Sequence, residues 1–184
     1  MDWNWLGDHL ALDVVNTVQL QRGIYVELLN SAHDLQEWTQ LQGPRVPEKI
    51  RSDADIEKFR TTRDHALALL RATASNVDLP QESVEHIDAI ARRHPVTRAI
   101  DLGGREGIGH VVGATNSLDA VIARAASAVI DLLNGPDRVR VALCDAPRCG
   151  QLFLHDRPNQ QWCSSTCGNR ARAARHHANK KGRS

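Results

Sequence analysis

Apolar residues recur at helical spacing along most of the chain. Leu10, Val14, Val15 and Val18 follow Asp8, which suits a helix N-cap. The pattern predicts a helix reaching to about Gly23, although the β-branched residues also suit a strand for part of it. Leu28, Leu29, Ala32, Leu35, Trp38 and Leu41 form an amphipathic stripe, capped by Asn30 or Ser31 and stopped by Gly43-Pro44. A polar connector from Arg45 to Ser52 leads into the longest expected helix, Asp53 to Ser75. Ile56, Phe59, Ala66, Leu67 and Leu70 supply its buried face, Asp53 or Asp55 its cap, and Arg60, Arg63 and Arg71 lie on a solvated face. Pro80 suits the first turn of a further helix with Val84, Ile87, Ile90 and Ala91 inward, which Pro95 ends.

The period then changes. Val96 to Leu102 alternates roughly, Gly103-Gly104-Arg105-Glu106-Gly107 carries turn chemistry, and Ile108 to Gly113 follows, which predicts a β-hairpin. The glycines do not make a phosphate loop, because the G-x-x-x-x-G-K-[ST] pattern and a strand-to-helix context are both missing. Asn116 or Ser117 caps a helix from Leu118 to Leu133, whose broad apolar face marks it as the central core helix, and Asn134-Gly135-Pro136 stops it. Val139 to Leu143 reads as a short strand that delivers Cys144. The expected architecture is mainly α with a small β-hairpin: a helical N-terminal domain over residues 1–137, then a treble-clef or ribbon-like four-cysteine zinc finger over 138–184 that ends in a basic helix. No flexible linker separates the two.

All four cysteines lie in that C-terminal stretch, as Cys144, Cys149, Cys163 and Cys167, in a C-x4-C and C-x3-C arrangement. Two close pairs separated by a loop bring four sulfurs within reach of one tetrahedral ion, and a structural zinc site is usually closed by four protein ligands. Two disulfides are the rival arrangement. Against them, the opening Met1-Asp2-Trp3-Asn4 has no basic segment and apolar run of a signal peptide, so a cytoplasmic, reducing setting is expected. Charge adds an asymmetry. Residues 144–184 carry eight Lys/Arg and two Asp/Glu, a net of +6, while the preceding residues have a net of −5. A mildly acidic body with a basic end points that end at an anionic partner. No apolar run approaches the roughly 18 residues of a membrane span.

The segment from Cys144 to Arg170 resembles the CGNR zinc-finger family. The resemblance rests on Cys144, Cys149, the apolar Leu152-Phe153-Leu154, Trp162-Cys163, the run Cys167-Gly168-Asn169-Arg170 and the basic tail. It implies one structural Zn2+ on the four cysteines and a nucleic-acid-binding module. The stretch before Trp162 has one arginine, Arg157, where the family usually has several basic residues. The order GDHLALDVVNT near the N-terminus, with Asp34-Leu35 and Trp38, resembles the ABATE domain, which is linked to stress-induced transcription regulation. That resemblance implies a context rather than a mechanism.

On a helix after Cys163, Cys167, Arg170, Ala171, Ala174 and Ala178 share one arc, which makes Arg170 structural. Arg172, Arg175, His176 and Asn179 face the other way, with Asn169 at the border. Leu152, Phe153, Leu154 and Trp162 are the expected miniature core of the finger. The expected nucleic-acid contacts are Arg157, Asn169, Arg172, Arg175, His176, Lys180, Lys181 and Arg183, with DNA ahead of RNA. Asp13, Asn16, Arg22 and Trp38 are candidates for a pocket holding a small-molecule effector; the plainer use of Asn16 and Thr17 is to bond local backbone. The expected protein is a bacterial-type cytoplasmic regulator, not an enzyme, because four thiolates close the zinc shell. Its body would sense a ligand or form a homodimer. The alternative is a protein-interaction module with a purely structural zinc site.

Overall fold

A computed structural model of the chain describes residues 9–21, 24–42, 50, 52–93, 95, 97–100, 109–112 and 117–181. In order, these form α1 (Leu10–Val15), β1 (Val18–Gln21), β2 (Ile24–Glu27), α2 (Ala32–Leu41), α3 (Asp53–Ala74), α4 (Gln81–Arg93), β3 (Thr97–Ile100), β4 (Gly109–Val112), α5 (Leu118–Asn134), a 3-10 turn (Pro136–Arg140), β5 (Val141–Leu143), β6 (Leu152–Leu154) and α6 (Ser165–Lys181). The protein is mainly helical, with small antiparallel two-stranded sheets β1-β2, β3-β4 and β5-β6 among the described residues.

The first element differs from expectation. His9, not Asp8, is the N-cap, its Nδ1 accepting from the Ala11 N–H, and α1 ends after six residues. Val18 to Gln21 then pairs with Ile24 to Glu27 as a hairpin, with Gln21 opposite Ile24. Val18-Gln19-Leu20-Gln21 alternates and Ile24-Tyr25-Val26 is β-branched and aromatic, which with Gly23 between them favours a hairpin over a continued helix. Arg22, like the Gly103 to Gly107 segment, lies outside the described residues. The hairpin expected around Val96 to Gly113 is present as β3-β4. At α3, Ser52 is the cap and Asp55 returns a bond to the Ser52 N–H, closing a capping box. Ser31 caps α2 and Ser117 caps α5. α5 ends at Gly135, where glycine is required because a Cβ would stand 2.8 Å from the Asp131 carbonyl oxygen.

Helices α1, α3, α4 and α5 share one core built on Leu12, Val15, Leu69, Leu70, Ile87, Val129 and Leu132. A second cluster joins Val14, Leu29, Leu35, Trp38, Phe59 and Ile122. Val84, expected inward, is exposed, and Ser83 is buried in its place against His65. Arg63 departs most from its expected solvated position, being only 3% exposed. Its guanidinium meets Glu27 at 2.7 Å and Asp64 at 2.8 Å, and Arg60 reaches the same Glu27 and the Leu29 carbonyl. Glu27 also accepts the Leu29 N–H. The hairpin β1-β2 brings that carboxylate over α3, which turns an arginine on an otherwise polar face into an anchor. Arg71 covers the Tyr25 ring at 4.9 Å.

Leu152, Phe153 and Leu154 are all buried, but not together. Successive strand residues point to opposite faces. Leu152 and Leu154 join Val141 in the helical core, while Phe153 packs with Cys144, Ala146, Cys149 and Cys167. The expected miniature core of the finger is therefore reduced to Phe153 and Trp162, and the β5-β6 hairpin serves two cores at once. Asn16 completes the joint: its Nδ2 donates to the Leu152 carbonyl at 2.9 Å, and its Oδ1 accepts the Leu152 N–H at 3.1 Å. The outer edge of β6, which would otherwise leave buried backbone groups unpaired, is thus closed by a side chain of the helical body.

A zinc centre on a hairpin and a helix start

The turn between β5 and β6 carries the first cysteine pair. The Cys149 N–H bonds the Ala146 carbonyl at 3.1 Å, and the Cys144 N–H bonds the Gln151 carbonyl at 2.8 Å. The turn requires left-handed backbone at Arg148 (φ 65°) and Gly150 (φ 64°), which glycine adopts freely and arginine at some cost. The second pair sits at the start of α6. The Ser164 hydroxyl accepts the Cys167 N–H at 3.2 Å, so the helix opens beside the sulfurs with its positive end toward them. A bond from the Asp145 N–H to the Gln161 carbonyl ties the two halves together.

The four Sγ atoms all lie within 4.8 Å of one another. Cys163 stands 3.6 Å from both Cys149 and Cys167. Four sulfurs at about 2.3 Å from a tetrahedral zinc have edges of about 3.8 Å, so the cage fits the ion with little rearrangement. All four cysteines are free of disulfides. Among themselves the sulfurs share protons. Cys144 is pulled far below the usual thiol range because Cys149 and Cys163 donate to it, and the proximity of Cys144 in turn holds both Cys149 and Cys163 above that range. Four negative sulfurs cannot coexist there without a cation. The Cys163 N–H points at the Cys144 sulfur at 3.4 Å, a donor already aimed at a ligand.

Each residue of the run 167–170 has a separate task. Cys167 is a ligand. Gly168 faces the Trp162 ring, and a Cβ there would come within 3.1 Å of it. Asn169 accepts from Arg172 at 2.5 Å. Arg170, exposed rather than inward, donates to the Pro147 carbonyl at 3.2 Å and so fastens the first turn to the helix, the structural role expected of it. Glycine inside a helix was the available signal for that close approach. Trp162 carries the Arg175 guanidinium 5.6 Å from its ring centroid and also packs against Gly168, within the finger.

Cys167, Gly168 and Ala171 are buried, whereas Ala174 and Ala178, expected to pack inward, are exposed together with the rest of 172–180. Among the described residues nothing buries these later turns of α6, which project from the body. Arg172, Arg175, His176 and Lys180 stand on this projecting part, and Asn169 at its root. The backbone of Lys181 ends α6, and Arg183 lies outside the described residues. Arg157 is on the loop before Trp162, lining a shallow open cleft with Asp156, Asn159 and Gln160. Of the pocket candidates, Asp13 is buried on α1, Asn16 is engaged by Leu152, and Trp38 packs edge-on against Phe59 at 5.1 Å. Thr17 bonds the Val14 carbonyl, the local use expected for it.

Residues 8–136 match the family described as "Putative stress-induced transcription regulator", ABATE. The chain belongs to the ABATE family. Residues 140–180 match the CGNR zinc finger. A search of curated proteins found no match. This ABATE protein therefore carries a CGNR finger whose four cysteines are positioned for one structural Zn2+. No helix among the described residues is long and apolar enough to cross a membrane.

Proposed function

We propose that this ABATE protein is a zinc-stabilised transcription regulator that binds nucleic acid, DNA before RNA, through the projecting turns of α6. The observation that carries the reading is the asymmetry of that helix. Its first turn is fixed by two zinc ligands and by Arg170, while residues 172–180, including Arg172, Arg175, His176 and Lys180, are exposed beyond the body. A rigidly rooted basic helix suits a major groove and its phosphates. Arg157, Asn169, Lys181 and Arg183 would add contacts at its flanks. The four cysteines would hold the zinc as thiolates, leaving it no open coordination position, so the role is binding rather than catalysis. Such thiolates belong in a reducing compartment, the cytoplasm. The helical body is left to receive an effector or to pair with a second copy.

A second reading, a protein-interaction module, draws on two contacts: Arg172 is held by Asn169, and Arg175 lies on Trp162. Fluorescence anisotropy with duplex DNA, single-stranded DNA and RNA over a salt series separates the two. Four phosphate contacts on duplex DNA give a log–log salt slope of about −3.6, and Arg172→Ala/Arg175→Ala should lower its magnitude by about 2. Absence of binding to all three at low salt removes the first reading.

A further inference from the structure

Gln151 is a buried amide between the last residues of the first knuckle and β6, 3% exposed. Its Oε1 lies 3.9 Å from the Cys149 sulfur and 3.8 Å from the Cys163 sulfur, while its backbone carbonyl accepts the Cys144 N–H. One residue thus touches three of the four ligands. In this arrangement the amide oxygen, not the amide N–H groups, faces the two sulfurs. A sulfur bound to zinc has no hydrogen to donate, and a carbonyl dipole facing a cluster of net charge −2 is repelled. The remedy lies within the same side chain. A carboxamide carries an acceptor at one end and two donors at the other, of nearly equal size, and a half-turn of its terminal torsion exchanges them.

We propose that Gln151 is an outer-sphere positioning residue of the zinc site, its amide N–H groups serving the sulfurs of Cys149 and Cys163 as the Cys163 N–H serves Cys144. This rests on the zinc centre and not on nucleic-acid binding. Partners of this kind typically change metal affinity by roughly 10–100-fold.

The test uses the full chain loaded with 113Cd2+ or Zn2+. In the 113Cd2+ form, a proton–113Cd coupling should appear between the metal and the Gln151 side-chain N–H. Chelator competition should show Gln151→Met weakening zinc binding by about 10-fold, and Gln151→Glu, which sets a carboxylate against the sulfurs, weakening it further. Circular dichroism of both variants checks the body helices. Should either variant fail to fold, the coupling in the unaltered protein decides alone. A Gln151 N–H without coupling, or Gln151→Glu binding zinc as tightly as the unaltered chain, would overturn the assignment.

Discussion

Replacing Asn16 with alanine tests whether the finger and the helical body are one cooperative structure. Asn16 is 7% exposed, and its amide supplies both a donor and an acceptor to the Leu152 peptide. In Asn16→Ala the Leu152 N–H and carbonyl stay buried without these partners, at roughly 1–3 kcal/mol each, so a total loss of about 2–6 kcal/mol is expected. Against a typical domain stability of about 5–15 kcal/mol that is a large fraction. Urea unfolding of the zinc-loaded chain, followed by far-ultraviolet circular dichroism and by zinc release to a chromogenic chelator, provides the assay. In the unaltered protein the two signals should change together, because Leu152 and Leu154 sit in the same core as Leu70 and Val129. In the variant the midpoint should fall by that loss divided by the m-value, with the m-value unchanged. Asn16→Asp is an internal check: it keeps an acceptor for the N–H but turns a second carboxylate oxygen toward the Leu152 carbonyl. Its loss at neutral pH should match or exceed that of alanine and ease when the carboxyl is protonated. A variant within about 0.5 kcal/mol of the unaltered chain, the scale of ordinary surface changes, would refute the reasoning. So would zinc release in a separate, earlier transition of the unaltered chain.

Three further outcomes follow. Gly168→Ala gains helix propensity but forces its Cβ to within 3.1 Å of the Trp162 ring, which also holds the Arg175 guanidinium, so chemical denaturation should show a net loss of about 1 kcal/mol. Gly168→Ala in a Trp162→Ala background should recover the propensity gain. Arg63→Met leaves Glu27 without its most buried partner and should cost about 2–4 kcal/mol, less when Glu27→Gln is added, measured as a double-mutant cycle. His86 stacks on His65 at 4.2 Å; burial first, then His65 and Arg93, hold its pKa below 6.5 against the pull of Glu82. The unfolded chain then takes up the proton first, so this contribution is complete above 6.5 and is lost as pH falls from there toward the depressed value. The difference in melting temperature between the unaltered protein and His86→Phe, followed from pH 7 to pH 5, reads that loss.

The helices and the zinc ligands could be read from sequence because both rest on local spacing: the apolar period places α3 and α5, and the two cysteine pairs mark a cage without tertiary information. What escaped depends on contacts distant in sequence. Arg63 looks solvated on its own helix until the hairpin β1-β2 brings Glu27 over it. Asn16 carries no mark of the backbone 136 residues away that it completes. The Leu152-Phe153-Leu154 run signals burial, yet only the hairpin's position shows that alternate residues enter two different cores. Ala174 and Ala178 share the inward arc of α6, but no helix among the described residues covers them. For β1-β2 the ambiguity is local: the apolar period of Leu10, Val14, Val15 and Val18 runs into the first strand, and Gly23 reads as readily as a helix stop as a hairpin turn.

The central claim is that four sulfurs distant in sequence meet at one metal ion and root a basic helix on the helical body. Zinc K-edge absorption on the full chain, with metal analysis, addresses it most directly. The expected result is one zinc per chain in a single shell of four sulfurs at about 2.3 Å. A shell containing nitrogen or oxygen ligands, or chains whose cysteines are paired as disulfides without zinc, would contradict it.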